Sequence, residues 1–86
     1  MHTVELFEQA LSVAEQLGYG VRQEWLGGSG GGACEFAGRK WIFVDLALNS
    51  VEQLEQVTEA LQGDPAIFAV DLPPSMRDLL GIRKSA

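Results

Sequence analysis

The sequence predicts a two-layer α+β domain in the order helix, three strands, helix, short helix, with the strands joined as a three-stranded antiparallel meander. Three observations lead there. Apolar residues recur at helical spacing over 3–17 and again over 51–62. Between these stretches lie three short runs of alternating character. The links joining those runs are short and rich in glycine, and short links suit antiparallel neighbours.

The first helix covers Thr3 to Leu17. Val4, Phe7, Ala10, Leu11, Ala14 and Leu17 form its apolar stripe, widened by Leu6 and Val13. Thr3 is a candidate cap, Glu5 and Glu8 suit the positive end of the helix dipole, and Gly18 offers a left-handed terminator. Tyr19 to Leu26, Ala33 to Ala37 and Lys40 to Leu46 read as strands. In the last, Ile42, Val44 and Leu46 share one face while Trp41, Phe43 and Asp45 share the other. Cys34 and Phe36 are expected inside with Ile42 and Val44, because free cysteine and phenylalanine favour burial. Gly38-Arg39 fits a two-residue hairpin turn.

Ser50 with Gln53 forms a capping-box pattern at the head of the second helix, which buries Val51, Leu54, Val57 and Leu61 and ends at Gly63-Asp64-Pro65. Residues 66–70 suit either a strand or a buried turn. A short helix runs from Ser75 to Leu80, closed by Gly81, and 82–86 are expected to form a loose tail. Residues 1–86 thus make one small domain.

Bulk properties exclude several classes. The 86 residues suffice for one core and fall short of a dinucleotide-binding fold or a hydrolase barrel. Six Lys plus Arg against twelve Asp plus Glu give a net charge of −6, which disfavours nucleic-acid phosphates. The longest apolar run, Ala66 to Val70, is far shorter than the roughly 20 residues that span a bilayer, so no membrane association is expected. Cys34 is the single cysteine, which fits a reducing compartment, and a cytoplasmic location is expected.

Candidate chemistry is sparse. One His and one Cys cannot complete a zinc site, so no metal is expected. Gly27-Gly28-Ser29-Gly30-Gly31 matches the nucleophile-elbow pattern, but the only histidine is His2 at the chain start. Gly28, Ser29, Gly30, Gly31 and Gly32 satisfy the loose spacing of a phosphate loop and stand as a possible anion-binding or nucleotide-binding loop. The segment that follows reads as a strand rather than the helix such loops require. No catalytic residue and no cofactor is expected.

The aromatic residues are more informative. With Ile42 and Val44 under the helices, Trp41 and Phe43 point to the other side of a thin sheet, either as an open contact surface or beneath Ala66 to Leu80 folded back over them, and Trp25 joins them as a surplus aromatic. Pro73, Pro74 and Met76 form a second candidate patch. The expectation is a non-enzymatic domain acting through contact with a protein partner or with itself.

The order of elements over about residues 3–62, ending in Ser50-Val51-Glu52-Gln53-Leu54-Glu55, resembles the front half of small zinc metallopeptidase-type domains. There a helix and meander precede the active-site helix. The H-E-x-x-H motif is missing here, since 51–62 contain no histidine, so neither zinc nor peptidase activity carries over. The resemblance implies at most a non-catalytic relative of a small enzyme domain.

Overall fold

A computed structural model describes residues 2–28 and 30–82. Helix α1 spans Thr3–Gln16, followed by strands β1 (Gly20–Glu24), β2 (Gly32–Phe36) and β3 (Arg39–Asp45), helix α2 (Ser50–Gln62), a 3₁₀ segment (Pro65–Ala69) and helix α3 (Pro74–Leu80). The α+β class and the element order are those expected from sequence.

The strand arrangement is not. The sheet order is β1-β3-β2, with β1 parallel to β3 and β2 antiparallel to it, so the sheet is mixed rather than a meander. Short links do forbid parallel pairing between strands that follow each other directly, but β1 and β3 are separated in sequence by all of β2. The glycine-rich link needs only to step over one vacant strand position, about 10 Å across. Residues 25–31 can reach about 20 Å when extended. Strand β3 then fills the gap.

Local chemistry accounts for the ends of the elements. His2 occupies the cap position of α1 without a side-chain bond, and Thr3 is already helical. At α2 the box sits one residue earlier than expected. Asn49 accepts from Glu52 N–H at 2.9 Å, and the Glu52 carboxylate accepts from Asn49 N–H at 3.0 Å. Gly18 (φ +92°) and Gly81 (φ +73°) terminate α1 and α3 as the sequence suggests. The hairpin turn is Ala37-Gly38, both at positive φ, rather than Gly38-Arg39. Residues 66–70 resolve as part of the 3₁₀ segment and the extended residue after it. Ile82 is not loose: its N–H donates to Arg77 O at 2.9 Å and its side chain packs on the core. Residues 83–86 of the expected tail lie outside the described residues.

All helices lie on one side of the sheet. Ile42 and Val44 of β3 pack beneath Ala10, Val13 and Ala14 of α1 and Leu54, Val57 and Leu61 of α2. The alanines of α1 leave room for the close α1–α2 approach. The C-terminal third adds Ile67, Leu72, Met76 and Leu80 to this core, with α3 against α1 and α2 and the 3₁₀ segment against α2. Neither element crosses to the other side of the sheet, which no helix among the described residues covers.

Candidate interaction surface

The uncovered face is defined by strand alternation. Directly paired residues share a face, so the register places Gly20, Arg22 and Glu24 of β1, Gly32, Cys34 and Phe36 of β2, and Arg39, Trp41 and Phe43 of β3 together. The rings of Trp41 and Phe43 stack at 6.3 Å between centroids and 30° between planes. The Arg39 guanidinium lies 4.7 Å from the Trp41 ring centre. Gly20 makes this possible: a Cβ there would come within 2.6 Å of Trp41 Cζ3. Beside them Arg22 Nε and Glu24 Oε2 pair at 3.0 Å, an exposed contact that contributes little to stability. Trp41 and Phe43 are thus half-buried among their neighbours, whereas Phe36 is 72% and Trp25 75% exposed.

Cys34 and Phe36 were expected beneath the helices and are exposed instead, opposite Trp41 and Arg39. Hairpin parity overrides the burial preference of the two side chains. In a two-residue hairpin every second residue of β2 must share a face with every second residue of β3, and Cys34 and Phe36 fall in phase with Trp41. The second candidate patch also changes. Pro73 and Pro74 are exposed at the head of α3, away from the sheet, while Met76 is fully buried and leaves the surface.

The glycine loop has a different role from the one its composition suggests. Asp45 is in phase with Trp41 and Phe43, yet it is fully buried because the loop folds over it. Its carboxylate accepts from the N–H groups of Leu26 (2.9 Å), Gly28 (2.6 Å) and Ala47 (2.9 Å). Burial acts to raise the Asp45 pKa, and these three donors outweigh it, so the group lies below the ordinary carboxylate range. Gln56 of α2 completes the assembly, accepting from Asp45 N–H and donating to Gly30 O, each at 2.9 Å. Gly31 (φ +106°) passes so near that a Cβ would lie 2.5 Å from Gln56 Nε2 and 2.8 Å from Phe43 O. An anion does sit among loop N–H groups, and it belongs to the chain itself. Of the five residues considered for external anions, Gly28 already serves Asp45, and Ser29 lies outside the described residues. Gly31 and Gly32 border a shallow groove of about 360 Å³ whose opposite wall carries Glu59, a poor neighbour for phosphate.

Asp45 and Gln56 were not singled out from sequence. The available signal was an aspartate closing the apolar run Trp41-Ile42-Phe43-Val44, beside a loop rich in unprotected N–H groups. A third polar cluster joins the strands to the C-terminal half. Asp64 Oδ2 accepts from Tyr19 Oη at 2.9 Å and from Lys40 Nζ at 3.2 Å, with Lys40 lying 4.6 Å from the Tyr19 ring centre. The Ala66 N–H, Tyr19 and Lys40 together hold the Asp64 carboxyl below its usual range against the effect of burial.

Among the described residues, no group of three His, Cys, Asp or Glu side chains gathers to hold a metal ion, and no helix is long and apolar enough to cross a membrane. No family model matches the chain, and no curated protein or solved structure shows significant similarity to it.

Proposed function

We propose that this chain is a non-enzymatic interaction domain that binds protein through the uncovered face and free edge of its sheet. The observation that carries the reading is the aromatic strip on that face. Trp41, Phe43 and Phe36 lie on the side of the sheet that the helices and the C-terminal third leave open. Apolar rings placed there do little for the core and offer rigid contact area to another molecule. Charge favours the same face. The chain carries −6 overall, whereas Arg22 and Arg39 face outward here and, apart from the buried Asp45, Glu24 is the one acid among the paired residues of this face. A partner approaching this face avoids most of the acidic helical surface.

The test compares the wild-type chain with Trp41→Ala, Phe43→Ser as bait for proteins from its own source. The reading expects at least one protein held by the wild type and lost by the double variant, at comparable melting temperature. Identical captured sets would overturn it.

A further inference from the structure

We propose that the free edge of β2 is the docking site for a second copy of this chain, which extends the sheet to six strands by antiparallel β2–β2 pairing about a two-fold axis through Cys34. This deepens the interaction reading above and rests on it.

The argument begins at the hairpin. Ala37 (φ 54°) and Gly38 (φ 77°) form a two-residue turn closed by the pair Phe36–Arg39, which exchanges both main-chain hydrogen bonds. Alternation along the ladder then aims the N–H and C=O of Cys34 toward β3 and those of Ala33 and Glu35 outward. No turn, loop or cap bond among the described residues reaches this strand, and Ala33 to Phe36 are all exposed. The edge has no proline, lysine or bulge to guard it.

A second copy satisfies those outward groups in one symmetric register. Ala33 lies opposite Glu35 of the other copy, and the reverse, closing four main-chain hydrogen bonds. Cys34 then faces Cys34 of the second copy at a non-hydrogen-bonded position, with Cα atoms about 4.5 Å apart. Each Phe36 lies across Gly32 of the other chain, a ring over the one residue with no side chain to obstruct it. The two Glu35 carboxylates fall on a diagonal about 8 Å apart rather than face to face. The two-fold axis stands perpendicular to the sheet, so both aromatic strips emerge on the same side and merge, while both sets of acidic helices stay on the other. A foreign strand would meet the same backbone groups, whereas pairing of this chain with itself supplies the Phe36–Gly32 fit twice, once at each end of the contact. The strand is short and the contact is smaller than the roughly 800 Å² per partner of stable complexes, so the dimer is reversible.

The experiment uses the full chain under reductant, from low micromolar to millimolar concentration. Sedimentation equilibrium is expected to show mass rising toward the dimer. Hydrogen exchange should show protection of the Ala33 and Glu35 amides growing with concentration, while the Cys34 amide, bonded to β3, does not change. A short bis-maleimide should link Cys34 to Cys34 between chains. Glu35→Pro removes an outward N–H and leaves the β2–β3 ladder intact, so it should abolish all three signals. If that variant folds poorly, Phe36→Lys serves instead. A strict monomer at millimolar concentration overturns the proposal, and so does a dimer whose Ala33 and Glu35 amides stay unprotected. In the latter case, movement of the Trp41 and Phe43 signals would leave the broader interaction reading standing, and the capture comparison decides that reading independently.

Discussion

Raising the pH probes the cluster that ties the start of the sheet to the C-terminal third. Tyr19 is the only tyrosine, so phenol ionisation gives a single absorbance transition. In the folded chain its pKa is pushed up to about 12 from 10.0, first by burial, then by the hydrogen bond to Asp64 and by that carboxylate's charge. A rise of this size corresponds to about 2.7 kcal/mol of preference for the protonated phenol. Tyr19 is only half-buried, and solvent screening reduces the figure to about 1 kcal/mol. Because the folded value is the higher one, the fold prefers the protonated form. The stabilisation is complete below pH 10 and disappears as pH rises toward 12. Spectrophotometric titration should place the midpoint of the native chain above that of the denatured chain, which lies near 10, by the shift that about 1 kcal/mol corresponds to. Asp64→Asn removes the charge and keeps the burial, so its midpoint should fall between the two. A native midpoint at the free value, or an Asp64→Asn midpoint equal to that of the wild type, would refute the account.

Three further predictions concern stability. Asp45 and Asp64 both titrate below the ordinary carboxylate range, so their stabilisation is complete above about pH 4 and is lost as pH falls through the folded values. Melting temperature measured against pH should decline on that acid side, and less steeply in Asp45→Asn. Ala37 holds a left-handed conformation at φ 54°, so Ala37→Asn should stabilise the chain by about 1 kcal/mol and raise the melting temperature by roughly 4–8 °C. Gly31→Ala meets both a positive φ and the carbonyl of Phe43, and should destabilise by about 2–3 kcal/mol in denaturant unfolding. An unchanged midpoint there would mean that the loop does not hold the path described.

The two longer helices were legible because each carries a periodic stripe and its own punctuation. Leu54, Val57 and Leu61 are buried as their spacing requires, although Val4 and Val51, at the outer turns, remain exposed. Strand positions were legible too, but not their order, since pairing is fixed by contacts remote in sequence. The glycine link was read as a bar to parallel neighbours when it is a bridge across one strand position. The inward reading of Cys34 and Phe36 took residue preference over hairpin parity. Either two-residue turn, Gly38-Arg39 or the observed Ala37-Gly38, puts Cys34 and Phe36 in phase with Trp41 and Phe43, so the parity was already present in the sequence. The aromatic face itself was readable from the alternation of Trp41 and Phe43 against Ile42 and Val44. Asp45 was not, because an acidic residue at a strand end is commonplace until the donors around it are known.

The position of β3 between its two predecessors has a consequence for how the chain is made. Everything before Arg39 lacks the strand on which β1 and β2 both depend, so no ladder exists on the ribosome until residues of β3 have been synthesised. Until then β1 and β2 wait as unpaired segments behind a single helix. The arrival of one seven-residue strand supplies the partner for both, first across the two-residue turn to β2 and then across the longer glycine link to β1, so the sheet is built midway through the birth of the molecule.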